Sequence, residues 1–447
     1  MFNPFDFKEL KMSIWKYKRS VNRRMKAHSA GSFQFEWKTR MELLEHFFFY
    51  TVTSTLIGLY VGLVTAFFGM GLLYLNAFRN AHLLYLVPFL GFAGLVIMSV
   101  NLRFGGKAQR GMGLVFDVGL GAEDKIPLRM VPLTIISTWM THLFGGSAGR
   151  EGVAVQIGAT ISMQIAGLRP RGTKYHVIVT SGMAAGFAGL FGTPIAATFF
   201  ALEVLVVGSV YYEALVPALI AAYVSSFTAR AVGLPAMAMP IGDVPAMDVH
   251  FMIITIVAGI IFGMVGWMFS WLLNHLRLYF AILISDPRLR IFIIGCMLAV
   301  IFLFVGQGRY SGLSDEIFNA AFTGGDIYFR DWFLKLSLTA ITLAAGFQGG
   351  ELTPLFVVGA TLGAFLGAQM GLPVALFAAM GCVAVFGSAT KTLFAPIFIG
   401  VEVFSPQAMP FFALVAISAF FISGHYGIYP AQLFSGEEPY HIMDKNK

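Results

Sequence analysis

Charge is what this sequence has least of. Of 447 residues, 12% are Asp, Glu, Lys or Arg, about half the share of an ordinary globular chain at roughly 25%. That excludes a soluble domain with a solvated surface. With 57% hydrophobic residues, it also excludes a disordered chain. Cysteine is nearly absent: Cys296 and Cys382 both sit in apolar runs, which excludes a disulfide scaffold and offers no metal spacing. They read as packing residues. No His-Glu-x-x-His, serine-nucleophile or paired-aspartate motif stands out, so an intramembrane enzyme is disfavoured and no cofactor or metal is expected. What remains, at a mean hydropathy of +0.76, is an all-α polytopic membrane protein. Long continuous apolar runs, rather than short alternating ones, exclude a lipid-facing β-barrel.

The few charges are unevenly placed. Residues 1–46 carry ten Lys/Arg against five acids, most of the formal +7. A basic segment before the first apolar run predicts a cytoplasmic N-terminus and contact with anionic lipid heads. Nucleic-acid binding is not expected, because no folded module accompanies the charge. Nor is a cleavable signal peptide, because the segment is long and polar.

Residues 47–78 form an uncharged run of 32. A straight helix of that length would measure roughly 48 Å against a hydrocarbon core of about 30 Å. It must tilt strongly or emerge from the bilayer. After a second span at 83–100 the runs become short and Gly-broken, at 130–144, 153–168, 175–191 and 195–210. The second part of the chain continues likewise, at 252–273, 291–305, 332–347, 352–370, 374–386 and 411–422. Several are too short to cross alone. Broken helices are tolerated at membrane depth only where they line a protected cavity.

An internal repeat runs through the chain at a nearly constant offset of about 200 residues. Gly149…Gly158-Ala159-Thr160 matches Gly350…Gly359-Ala360-Thr361. Pro194-Ile195 matches Pro396-Ile397, each followed by an acid before valine (Glu203-Val204, Glu402-Val403). Arg110-Gly111-Met112-Gly113-Leu114 resembles Arg309-Tyr310-Ser311-Gly312-Leu313. The halves run over about 47–232 and 250–434. The offsets do not fix whether they are parallel or inverted.

Against this apolar background a carboxylate is expensive, and one at membrane depth is a functional candidate by default. Glu151 is the only acid between Asp124 and Glu203; Glu351 is followed by no charge until Lys391. Glu203, Lys391 and Glu402 are similarly isolated, and for the two acids a helix end near the interface is the favoured reading. Gly145-Gly146-Ser147-Ala148-Gly149-Arg150-Glu151-Gly152 is a Gly-rich turn opening an apolar helix. Free backbone N–H groups there make an anion site. A carboxylate beside it competes with a free anion for the same donors, and protonation releases it. That is a minimal device for coupling protons to anions. Gly349-Gly350-Glu351-Leu352-Thr353-Pro354 opens another such helix, with Pro suited to its first turn.

At these residues the sequence resembles the CLC family of anion channels and proton-coupled antiporters. The family's three signature turns appear in order as Gly111-Met112-Gly113-Leu114-Val115, Gly149-Arg150-Glu151-Gly152-Val153 and Gly350-Glu351-Leu352-Thr353-Pro354. The resemblance spans about residues 47–434, leaving 435–447 as a short cytoplasmic tail without the nucleotide-binding tandem of many members. Met112 stands where the family has serine, Val115 and Val153 where it has proline, and Glu351 precedes leucine rather than phenylalanine. The internal proton-relay glutamate of chloride-type antiporters aligns with Val204. Glu203, one residue earlier, lies about 100° around a helix from it. These departures resemble the fluoride/proton antiporter branch.

The resemblance implies an inverted two-repeat bundle of tilted and broken helices, a homodimer, and a bacterial inner-membrane exporter of fluoride driven by protons. A chloride or nitrate transporter or channel of the same fold is the alternative. Glu151 is implied as gate and proton carrier and Glu351 as a modulator. The anion site is implied at Met112, Gly113, Gly149, Arg150, Gly152, Val153, Leu352, Thr353 and Tyr429, with Tyr426 the alternative tyrosine. Fluoride is small and tightly hydrated, so strong donors must replace its water: backbone N–H groups, the Thr353 and Tyr429 hydroxyls and a protonated Glu151. Met112 lacks such a donor, which penalises chloride by the loss of a serine hydroxyl.

Overall fold

The structure is a computed structural model and describes residues 44–45, 47–166 and 175–435. The basic N-terminal segment up to residue 43, His46, and the tail beyond Ser435 lie outside the described residues. Residues 44–45 and 47–53 are helical; the described residues from Ser54 onward form a separate compact unit.

Among the described residues the main helices fall into two sets of eight. The first comprises α1 (Phe47–Ala81), α2 (Leu83–Phe104), α3 (Met112–Gly119), α4 (Met130–Leu143), α5 (Glu151–Ala166), α6 (Tyr175–Phe191), α7 (Pro194–Glu203) and α8 (Tyr212–Val232). The second comprises α9 (Val249–Leu283), α10 (Pro287–Phe304), α11 (Asp315–Thr323), α12 (Phe329–Ala345), α13 (Leu352–Met370), α14 (Val374–Thr390), α15 (Phe394–Phe404) and α16 (Pro406–Ile422). Helices α1 and α9, which open the two halves, are each 35 residues long. Among the described residues, six helices are long and apolar enough to cross a membrane: α1, α2, α8, α9, α10 and α13. The chain is therefore an all-α polytopic membrane protein, and the shorter apolar helices complete its bundle.

The halves are inverted. Gly149 and Gly350 pair as an antiparallel bridge, with Gly149 N–H donating to Gly350 O at 2.6 Å and Gly350 N–H to Gly149 O at 2.7 Å. Each half then packs its next two helices through small residues. A Cβ on Gly158 of α5 would fall 2.0 Å from Gly182 O of α6; one on Gly359 of α13 would fall 2.1 Å from Gly381 O of α14. Backbone contact of this kind replaces hydrophobic drive in a lipid environment. Between the halves an aromatic ladder fills the core: Phe191 stacks on Phe356 at 5.4 Å, and Phe356 on Phe386 at 5.0 Å.

Two isolated acids join the halves reciprocally. The Glu203 carboxylate, at the end of α7, accepts the N–H groups of Leu393 and Phe394 that open α15, at 2.7 and 2.9 Å. The Glu402 carboxylate, near the end of α15, accepts those of Ile195 and Ala196 in α7, at 3.1 and 2.8 Å. Each satisfies orphan helix-start donors of the other repeat.

Candidate functional site

The two Gly-rich turns meet because glycine lets their backbones touch. A Cβ on Gly350 would sit 3.0 Å from Gly152 N and 3.2 Å from Arg150 N. Glu151 is the first residue of α5 and 1% exposed. Its side chain leaves its own helix and enters the start of α13. There Oε2 accepts the Thr353 N–H at 3.1 Å and the Thr353 hydroxyl, and the Arg150 N–H lies 3.3 Å away. The Arg150 guanidinium approaches Oε1 at 3.5 Å. A carboxylate thus occupies a seat of donors that suits a free anion.

The turn is pinned from behind. The buried His142 ring lies 3.3 Å from Gly149 O through Nε2, and the Arg79 guanidinium donates to His142 O at 3.0 Å. Lys335, fully buried, donates to Ser147 Oγ of the same turn at 3.0 Å. It also donates to Gly312 O at 2.8 Å, Ser314 Oγ at 2.9 Å and Tyr310 O at 3.3 Å. These oxygens solvate an ammonium that no carboxylate pairs among the described residues.

Beside this pair of turns lies a cavity of about 360 Å³ whose walls include Met112, Gly113, Gln156, Arg277, Glu351 and Tyr429. Glu351, the N-cap of α13, meets Arg277 of α9 at 3.3 Å through Oε1. A side chain on Gly152 would meet Glu351 Oε2 at 3.4 Å and Met112 Cε at 3.9 Å, so these groups converge on the α5 start. Tyr429 is carried by a segment fixed through Gln432, whose side-chain amide donates to Val204 O at 2.8 Å and Thr390 O at 2.9 Å. Its ring packs on Phe116 at 5.1 Å. Tyr426 is 51% exposed and is not among the cavity walls.

Of the residues singled out in the sequence, the structure brings together Met112, Gly113, Glu351 and Tyr429 around the cavity. Gly149, Arg150, Glu151, Gly152 and Thr353 come together at the crossing of the turns. The Val153 and Leu352 side chains pack instead into apolar clusters. Sequence reasoning passed over Arg277, Gln156, His142 and Lys335. Lys335 left a signal, a lone cation inside the apolar run 332–347; Arg277 resembled an ordinary helix-end cation.

Two inverted helical repeats whose helix starts meet around buried carboxylates define a class of polytopic membrane protein. The profile described as "Voltage gated chloride channel" matches residues 93–424, and the chain belongs to this family, the CLC family. It is 35% identical over 408 residues to a "Chloride/fluoride channel protein" of Pseudomonas syringae pv. tomato, covering 89% of each chain. It is 25% identical over 337 residues to an H(+)/Cl(-) exchange transporter of Cronobacter sakazakii, covering 70% of this chain and 72% of that one. Among solved structures, a CLC-type fluoride/proton antiporter superposes with a TM-score of 0.85 at 47% identity, covering 86% of this chain and 98% of that one. A slow cyanobacterial Cl-/H+ antiporter shares the fold, with a TM-score of 0.72 at 20% identity over 85% of this chain and 96% of that one.

Proposed function

We propose that this chain is a CLC-type fluoride/proton antiporter that exports fluoride across a bacterial inner membrane as a homodimer with cytoplasmic N-termini. The observation that carries the reading is the seat of Glu151. While ionised, the carboxylate holds the Thr353 N–H and hydroxyl and excludes a competing anion. A proton on Glu151 removes the charge that held it there. The side chain then leaves with its proton, and an anion takes the donors it releases. Re-ionisation returns the carboxylate and expels the anion, so anion and proton use one seat in turn. Support for fluoride comes from the 47% identical antiporter of known structure, from the chloride/fluoride relative, and from Met112 on the cavity wall. Exchange of chloride is the second reading, favoured by the Cronobacter relative.

The test is flux from proteoliposomes loaded with fluoride, chloride or nitrate and monitored with an anion electrode and a pH dye. An outward fluoride gradient is expected to pump protons inward against their own gradient. Fluoride flux indifferent to pH, or chloride moved faster than fluoride, would sink the proposal.

Selectivity is expected to follow Met112. A serine there adds a hydroxyl for chloride, and one hydrogen bond to a charged ligand contributes about 1.5–3 kcal/mol, roughly ten- to a hundredfold in relative affinity. Met112→Ser therefore raises chloride efflux relative to fluoride while fluoride efflux stays measurable. An unchanged ratio moves discrimination to Thr353 or Tyr429.

Glu203 has a different fate. Its carboxylate is engaged by the α15 start, and Val204 beside it carries no proton. Glu203→Gln keeps fluoride/proton coupling and lowers stability by about 1–3 kcal/mol through the lost acceptor. A folded variant with uncoupled fluoride flux would make Glu203 the relay after all.

A further inference from the structure

Arg277 enters the cavity from α9, more than 70 residues before the turn it touches. Two cations are among the cavity walls, Arg110 and Arg277. Arg110 is committed to Asp117 and to Glu123, the latter at 3.4 Å. Arg277 pairs with Glu351 alone among the described residues, through a single contact at 3.3 Å. A guanidinium can hold a carboxylate by two parallel bonds at about 2.7–2.9 Å, so this pair is loose. Arg277 keeps 36% of its side chain exposed, against 13% for Glu351. On the wall of the same cavity the Tyr429 hydroxyl is buried and has no hydrogen-bond partner among the described residues, in a residue only 6% exposed. A donor without an acceptor and a cation with one loosely held acceptor share the same small space.

We propose that Arg277 is an anion-docking residue of this cavity, and that the Glu351 carboxylate seated on it occupies the place of the transported anion between turnovers. The inference rests on the transport reading above. With Arg110 neutralised, Arg277 and Glu351 leave the cavity wall close to charge balance, so the cavity holds no standing surplus to trap an anion. An anion that arrives competes with Glu351 for the guanidinium, and Tyr429 offers it a further hydroxyl donor. Glu351 thereby does for Arg277 what Glu151 does for Thr353: each turn's acid fills a seat that an anion can take. Specificity is modest at such a site, because a guanidinium accepts any small anion; discrimination remains with the donors at Thr353 and the wall at Met112.

The two members of the pair are expected to act in opposite directions on apparent affinity, which a merely structural ion pair would not do. Fluoride efflux is measured over a range of fluoride concentrations for the wild type, Arg277→Gln, Arg277→Lys and Glu351→Gln, with binding of sodium fluoride to detergent-solubilised protein followed by calorimetry. Arg277→Gln raises KM at least tenfold, more than it lowers the maximal rate, and weakens calorimetric binding in parallel. Arg277→Lys recovers most of that loss. Glu351→Gln removes the competing carboxylate and lowers KM by threefold or more. If Arg277→Gln and Glu351→Gln both raise KM, or if Arg277→Gln leaves it unchanged, the proposal is overturned. Should Arg277→Gln fail to elute as a monodisperse peak, Glu351→Gln decides alone: a raised or unchanged KM overturns the docking role. Wild-type protein that moves chloride but not fluoride defeats the fluoride reading separately, and the same variants are then read on KM for chloride.

Discussion

If the proposed fluoride/proton exchange holds, glutamine in place of Glu151 is expected to abolish proton movement coupled to fluoride. The substitution keeps the shape of the side chain and one oxygen to accept the Thr353 N–H and hydroxyl, so the seat remains filled. What it removes is the capacity to take and release a proton. Uphill proton pumping by a fluoride gradient in proteoliposomes falls to background, and the residual fluoride flux no longer responds to an imposed pH gradient. Pumping that survives at a tenth of the wild-type rate or more would show that the proton travels by another carboxylate.

Alanine at Gly350 is expected to be nearly as damaging by another route. Its methyl would press on Gly152 N at 3.0 Å and Arg150 N at 3.2 Å, both backbone atoms that cannot rotate away. Accommodating it spreads the two turns, stretches the pair of Gly149–Gly350 bonds and draws Thr353 from Glu151. Overpacking alone costs about 1–3 kcal/mol, and two weakened buried bonds add about 1 kcal/mol each. Gly350→Ala therefore lowers the melting temperature and cuts fluoride flux at least tenfold. Gly113→Ala is the stability control: its methyl meets no atom within 4 Å, in a helix where alanine is the better former. Equal melting temperatures for the two variants would mean that the turns are not held by backbone contact.

The sequence announced Glu151 because a lone acid between uncharged stretches is conspicuous, and because glycines flank it. It also announced the repeat, since Gly158 and Gly359 recur with their neighbours. It did not announce that the Glu151 oxygen rests on Thr353, because nothing local sets which helix start an extended side chain enters. Glu203 and Glu402 read as ordinary acids at helix ends, and each does lie at or near one. The missing fact was the amides they meet, which belong to the opposite half and follow only once the halves are inverted. Arg277 was invisible for a related reason: on its own helix it is a cation close to the C-terminal end, where such residues are common. Tyr429 and Tyr426 differ by three positions in the chain, and the anchoring of Gln432 on Val204 O and Thr390 O accompanies the inward placement of Tyr429.

The exchange of acids between α7 and α15 also sets an order of events during synthesis. Glu203 emerges from the ribosome 190 residues before Leu393, whose amide it will hold. At about 5–20 residues per second, that is a wait of roughly 10–40 s. Through that interval the leading half carries an uncapped helix start and an unpaired carboxylate into the translocon, where hydrocarbon would penalise both. Its native helix ends can close only after the trailing half arrives. Neither half completes these helix ends by itself: the two segments satisfy each other's backbone, and a break between them would strand both.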